Sequence, residues 1–334
     1  MIHRDKELKE LNTFGISGRA AGYAEFRNTA DLAAIFSDPA WQGKPWYVLS
    51  GGSNILLTGD YGGLILHPIG QSIEETGRDE ASVTVRAEAG VDWDTFVSHC
   101  VEKGYGGIEN LSDIPGYVGA CPVQNIGAYG SEVKDTITEV EAYLPETGKI
   151  GRFRNEECAF GYRDSIFKRE WKGRAIVTAV TFRLSLNPAF NIGYGDLSRE
   201  VEALGGPSLK NIRTAVRSIR AAKLPDPKVL GNSGSFFKNP VVDTQKADAL
   251  KTRYPDMPTY PAPNGIKLAA GWLIDRAGLK GYRQGNCGVH EKQALVLVNY
   301  GGATGRDILS LADHVISTVE EKFGIRLGME VNTL

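Results

Sequence analysis

Apolar positions recur along this chain with two periods. Val83, Val85 and Ala87 alternate with polar residues, and so do Ile176, Thr178, Val180, Phe182 and Leu184. Period-two alternation predicts half-buried strands. Ile325, Leu327, Met329 and Val331 alternate in the same way, which predicts a strand with Arg326, Gly328 and Glu330 on its other face. Tyr23–Phe26, Tyr47–Leu49, Ile55–Leu57, Leu64–Leu66 and Ala294–Val298 read as short strands. Residues 137–144 and 150–153 read as a hairpin around Pro145-Glu146-Thr147-Gly148.

The helical period appears elsewhere. Asn28 and Thr29 open a helix that runs to Phe36. Asp92 precedes a helix with Trp93, Phe96, Val97, Cys100 and Val101 on one face. Residues 206–222 set Ile212, Val216 and Ile219 on one side, and a helix is predicted over Lys267–Ala277. Thr304-Gly305-Arg306-Asp307 has the form of a capping box before Ile308, Leu311, Ala312, Val315, Val319 and Phe323, and Gly324 stops that helix. Two prolines in Lys223-Leu224-Pro225-Asp226-Pro227 mark a joint. The pattern divides the chain into three stretches, 1–70, 71–224 and 225–334.

Composition narrows the function. Lys plus Arg number 38 and Asp plus Glu 40, a net charge of −2, so no bulk basic field draws nucleic acid or an anionic membrane. No apolar run reaches the ~20 residues of a membrane span, and the first residues lack the apolar stretch of a signal peptide, so a cytoplasmic protein is expected. The cysteines, Cys100, Cys121, Cys158 and Cys287, lie outside metal-ligand spacing of one another. Neither a Walker A loop nor GxGxxG occurs. Glycine is the outlier: 40 of 334 residues, against a usual share of about 7%. Much of this backbone turns tightly or lies close against something.

The glycines cluster where chemistry is plausible. In Ser50-Gly51-Gly52-Ser53-Asn54 the backbone N–H groups can converge on an anion, or the segment is a tight turn. The stretch Ile114–Gly130 is apolar as well as glycine-rich; it is a buried structural loop or a ligand cradle whose Gln124 and Asn125 pair with a heterocycle. Gly161-Tyr162-Arg163 offers a guanidinium fork to a carboxylate or phosphate, or a surface ion pair. Gly231–Pro240 presents Ser235 after small residues, as a proton donor or a turn residue; no GxSxG and no nearby histidine make it a nucleophile.

Taken together and in this order, these segments resemble UDP-N-acetylenolpyruvoylglucosamine reductase, the MurB family of bacterial peptidoglycan synthesis, in its longer form with a tyrosine loop. The resemblance runs from Asn12-Thr13-Phe14-Gly15 to Glu330. The runs Gln124–Gly130 and Gly234–Pro240 are its most specific parts. It implies an FAD-binding fold of two α+β subdomains, of the PCMH/VAO-like kind, plus a C-terminal α+β substrate-binding domain. FAD would be noncovalent, held by Ser50, Gly51, Gly52, Ser53, Asn54, Gln124, Asn125, Gly127 and Tyr129, with NADPH as reductant. Arg163, Ser235 and Glu330 match the family's catalytic residues, with Ser235 the proton donor. Lys223 and Asn239 match substrate contacts, Tyr194 would cover the UDP diphosphate, and Tyr162, Lys267 and Gln293 are expected at the same site. The expected molecule is a monomer acting on UDP-N-acetylenolpyruvoylglucosamine. Ala120 departs from the pattern, standing where relatives often carry serine. A sugar or lactone oxidase on the same scaffold is the main alternative.

Overall fold

The computed structural model describes residues 1–334. Contacts gather the chain into two compact units. The first comprises residues 1–6, 20–51 and 61–222, and the second residues 7–19, 52–60 and 223–334.

The first unit holds two sheets. One runs in the order Ile2–Glu7, Arg19–Phe26, Tyr61–Pro68, Trp46–Val48. Tyr23 and Tyr47 both lie opposite Ile65 in parallel pairings. Parallel neighbours need a crossover, and the helix Thr29–Phe36 lies within one. Asn28 starts it by accepting from the N–H groups of Ala30 and Asp31, while the Asp31 carboxylate accepts from the Asn28 N–H.

The other sheet is antiparallel, in the order Lys149–Arg154, Ile137–Leu144, Ile176–Ser185, Ser82–Glu88, Ile73–Arg78. Phe182 faces Val85 and Val180 faces Ala87 across the central pair. The alternation read in the sequence buries Val180, Phe182 and Leu184 completely. The helix Trp93–Glu102 covers this face, with the rings of Phe96 and Phe182 4.8 Å apart. Each such aromatic contributes roughly 1.5–3 kcal/mol through burial. Helices Leu197–Ala203 and Leu209–Lys223 join through Leu197, Val201, Ile212, Ala215, Val216 and Ile219.

The second unit carries a sheet in the order Gly231–Ser235, Val296–Asn299, Cys287–Val289, Arg283–Gln284, and a smaller one in the order Val241–Val242, Gly265–Leu268, Thr259–Ala262. The helix Gly305–Phe323 buries Ile308, Leu311, Ala312, Val315 and Val319. Thr304 and Asp307 form its capping box and Gly324, at φ 65°, ends it. A short parallel pair joins Asn332–Thr333 to Ile55–Leu56, and the Thr58 N–H donates to the Leu334 carbonyl.

Two expectations are corrected. Residues 325–331 form no regular strand; only Met329 bridges, to Phe237. Ile325, Leu327 and Val331 are buried as the alternation requires, whereas Met329 is 37% exposed. The predicted helix from Lys267 begins only at Ala270 and ends at Arg276, because Gly265–Leu268 is drawn into the smaller sheet. The helix Thr244–Arg253 had no clear signature in the apolar pattern.

Candidate active site

In the first unit, Gly51 meets the glycine-rich loop directly. A Cβ on Gly51 would lie 3.3 Å from the Gly116 Cα, so two backbones approach with little room for a side chain. The loop is fastened along its length: the N–H groups of Val118 and Gly119 donate to the carbonyls of Val91 and Ala89, and that of Ile126 to Cys121. It is mostly buried or half-buried, as its apolar composition demands. Four non-glycine residues here adopt positive φ: Asp113 (62°), Asn125 (45°), Tyr129 (48°) and Arg163 (55°). Each costs about 1–3 kcal/mol, a strain that gathers at functional sites and that surrounding structure must hold.

Asn125 is completely buried. Its Nδ2 donates to the Gly161 carbonyl at 2.9 Å and its Oδ1 accepts from the Lys134 N–H at 3.1 Å. Each end of this amide thus bonds backbone, and it joins the 114–130 loop to the arginine turn. On that turn the Arg163 guanidinium donates to the Gly127 carbonyl at 2.8 Å and lies 5.4 Å from the centre of the Tyr162 ring. Arg163 is thus aimed at the glycine-rich loop. Tyr129 is half-buried, and burial raises its phenol pKa above the ordinary value. Its ring meets that of Tyr194 edge-on at 6.2 Å. Tyr194 itself is 46% exposed. Cys121 is 1% exposed and burial pushes its thiol well up, so it offers no thiolate for covalent attachment.

In the second unit, Gly52 sits at φ 63°, and a Cβ on it would fall 1.9 Å from the Leu11 carbonyl oxygen. Only glycine fits there. Thr13 donates its N–H to the Gly52 carbonyl, and Asn332 donates both its backbone N–H and its side-chain Nδ2 to the Asn54 carbonyl. Ser233 Oγ donates to the Ile55 carbonyl at 3.1 Å. The segments 52–56, 231–235 and 330–332 are thereby laced together.

Ser235 stands opposite Val296, after a register irregularity that follows Asn232. Such an irregularity, here with Gly234 at φ 67°, re-aims a side chain. Ser235 is exposed between the half-buried Gly234 and the buried Phe236. The Glu330 N–H donates to the Phe236 carbonyl at 2.8 Å, and the Phe236 N–H donates to Leu295. Ser235 and Glu330 therefore lie on adjoining extended segments, and Gln293 lies two residues before Leu295. Asn239 Oδ1 accepts from the Ala270 N–H at 2.9 Å, so it also caps the helix after Lys267. Lys267 stands on the smaller sheet, its ammonium 5.9 Å from the centre of the Tyr260 ring. Lys223 ends the helix Leu209–Lys223. Sequence reasoning passed over Asn110 and Asn191, which hold the loops around Tyr129; in the sequence they carry no signal beyond being polar residues near glycines.

The residues fit an FAD. The side chains of the Ser50–Asn54 run are of the kind that donate to a diphosphate, while the glycines within it are required by the close approach of the Gly116 and Leu11 backbones. No group of histidine, cysteine and carboxylate side chains is arranged to hold a metal ion. No helix is long and apolar enough to cross a membrane.

Residues 20–154 match the FAD binding domain family, and residues 226–334 match the UDP-N-acetylenolpyruvoylglucosamine reductase C-terminal domain. The chain is 51% identical over 330 residues to the UDP-N-acetylenolpyruvoylglucosamine reductase of Chromobacterium violaceum, covering 98% of this chain and 97% of that one. It is 47% identical to the enzyme of Neisseria gonorrhoeae, covering 98% and 96%. The crystal structure of the enzyme from Thermus caldophilus superposes with a TM-score of 0.70 at 24% identity, covering 99% and 98%, a likeness of fold. The fold is an FAD-binding domain joined to this C-terminal domain, and the chain belongs to the UDP-N-acetylenolpyruvoylglucosamine reductase family.

Proposed function

We propose that the chain reduces UDP-N-acetylenolpyruvoylglucosamine to UDP-N-acetylmuramate with NADPH, as a flavin-dependent oxidoreductase of peptidoglycan precursor synthesis. The structural observation that carries this reading is the backbone bond from Glu330 to Phe236, which brings an exposed serine and a carboxylate onto adjoining segments. The 51% identity to a reductase over nearly the whole chain supports it.

When bound, FAD supplies a hydride, taken from NADPH, to the terminal carbon of the enol ether. The substrate must then hold negative charge on its carboxylate side and receive a proton on the carbon beside the carboxylate. Arg163 is assigned to the charge, because a guanidinium fork matches two carboxylate oxygens and stabilises what develops there. Its left-handed backbone and its bond to Gly127 hold it before substrate arrives. Ser235 Oγ–H is assigned to the protonation, giving its proton to the substrate carbon. A neutral hydroxyl is a weak acid, so its alkoxide needs prompt reprotonation, and Lys223 or a water chain is assigned that supply. Glu330 is assigned to the same stabilisation through a bridging water, since a bare carboxylate against the substrate would oppose an enolate. Ser50–Asn54, Gln124, Gly127 and Tyr129 would hold the cofactor, with Asn125 bracing them. Tyr162, Tyr194, Lys223, Asn239, Lys267 and Gln293 would hold the sugar nucleotide. We read the chain as a monomer acting in the cytoplasm, a compartment that suits four buried free cysteines.

The test is spectroscopic. The purified protein should show a flavin spectrum that bleaches with NADPH and recovers when the enolpyruvyl sugar nucleotide is added without oxygen. In Ser235→Ala, bleaching should persist while recovery slows by roughly 10²–10⁴-fold, the usual contribution of a positioned acid. Recovery with oxygen alone, and none with the sugar nucleotide, would return the oxidase reading.

A further inference from the structure

Asn110 has no role in the scheme above. It is 2% exposed, on the short turn Glu109–Leu111. That turn is rigid: the Trp93 indole N–H donates to the Leu111 carbonyl, Ser112 Oγ donates to the Glu109 carbonyl, and the Glu109 carboxylate accepts from the Gly107 N–H. From it, Asn110 Nδ2 donates to two carbonyls of two separate segments, Tyr129 at 2.9 Å and Asn191 at 2.7 Å. Tyr129 belongs to the glycine-rich loop; Asn191 lies three residues before Tyr194. Asn191 returns the connection, its Nδ2 donating to the Gly130 carbonyl at 2.9 Å. Gly130 is at φ 81°, and a Cβ there would lie 3.0 Å from that same Nδ2.

A primary amide has two N–H donors, and here one is spent on each segment. Two carbonyls converge on one buried nitrogen, so its removal strands both. Around it, Tyr129, Phe190 and Ile192 pack against the helices that begin at Leu197 and Leu209. Beyond Ile192 the chain opens: Gly193, Tyr194, Gly195 and Asp196 are all exposed.

We propose that Asn110 is a positioning residue, a latch that ties the base of the tyrosine loop to the cofactor loop. The swing of Tyr194 is thereby confined to residues 193–196, and the loop is ordered only when residues 127–130 are in place. One amide makes closure over the sugar nucleotide depend on the seating of the cofactor. This rests on the reading that Tyr194 contacts the substrate.

The experiment uses the holoenzyme and three variants, Asn110→Ala, Tyr194→Ala and the pair. Hydrogen exchange of a peptide covering residues 190–197 reads the latch directly. Exchange there should quicken in Asn110→Ala and fall back little when FAD is added in excess. The KM for the sugar nucleotide should rise roughly tenfold, the worth of two hydrogen bonds, while the rate at saturation stays within about threefold. In the Tyr194→Ala background the same substitution should add little to KM. Unchanged exchange in Asn110→Ala, or KM effects that add fully in the pair, would overturn the latch. An unchanged KM in Tyr194→Ala with quickened exchange in Asn110→Ala would overturn the substrate reading of Tyr194 and leave the latch standing. If Asn110→Ala fails to fold, Asn110→Ser keeps one donor and Asn191→Ala cuts the returning bond; either must quicken the same peptide for the proposal to hold.

Discussion

Glycine is used here for two separable reasons, and two positions distinguish them. Gly43 and Gly52 have nearly the same backbone, φ 71° and 63°. A Cβ on Gly43 meets nothing, whereas one on Gly52 strikes the Leu11 carbonyl. Gly43→Ala should therefore cost only the left-handed penalty, about 1 kcal/mol. Gly52→Ala should cost several kcal/mol and loosen the cofactor, because backbone must move. Thermal unfolding and FAD retention of the two variants compare these directly, and equal costs would remove close approach as the reason for Gly52. The same distinction explains what was legible. Glycines announce a cradle in the sequence, so Ser50–Asn54 and Ile114–Gly130 stood out. Asn125 read as a partner for a heterocycle and Asn110 only as a polar loop residue, because the carbonyls they serve lie 36 residues away at Gly161 and 81 away at Asn191. Nothing local records such a debt of backbone hydrogen bonds.

Helices were legible where their ends carry caps. The Asn28, Asp92 and Thr304 starts appear as read, with side chains accepting from the first turn. Thr304→Ala should cost about 1 kcal/mol, measured by denaturant unfolding, since the hydroxyl donates to the Asp307 carboxylate and accepts from the Asp307 N–H. Strands whose partners are distant were less legible. Lys267 looked helical because it precedes a good helix, yet its ladder partners are Val241 and Tyr260. A tie between helices carries a pH signature. Asp94 on the helix Trp93–Glu102 forms a two-pronged pair with Arg213, at 2.5 and 2.8 Å. Burial raises its pKa, but that bond and the Asp113 N–H outweigh it, and the net shift is downward. A carboxylate with a depressed folded pKa stabilises above its unfolded value near 4 and loses that contribution as pH falls through the folded value. Unfolding free energy measured from pH 5 downward should fall more steeply in the parent than in Asp94→Asn. At pH 7 that variant should be about 1–3 kcal/mol less stable. Parallel curves would remove Asp94 as the titrating group.

At the scale of the whole molecule, cofactor and fold stabilise one another. A ligand that binds only the folded chain adds about 2.7 kcal/mol at a hundredfold excess over its Kd. Stripping FAD should thus lower the unfolding temperature by a few degrees, and adding FAD should restore it; FMN, which lacks the adenylate half, should restore less. A melting temperature indifferent to FAD would contradict the cradle. The division of the chain into two units also bears on how it is made. Residues 52–60 belong to the second unit, but Thr58 receives its backbone partner from a residue 276 positions later. At roughly 5–20 residues per second, a ribosome needs on the order of 14–55 s to cover that interval. For that time Ile55, Leu56 and Leu57, all buried in the finished protein, have no partner strand and no covering helix. The newborn chain is thus most exposed to chaperones and to self-association between the synthesis of its first sixty residues and its last, and a chain released near residue 222 would carry residues 7–19 and 52–60 without the rest of their unit.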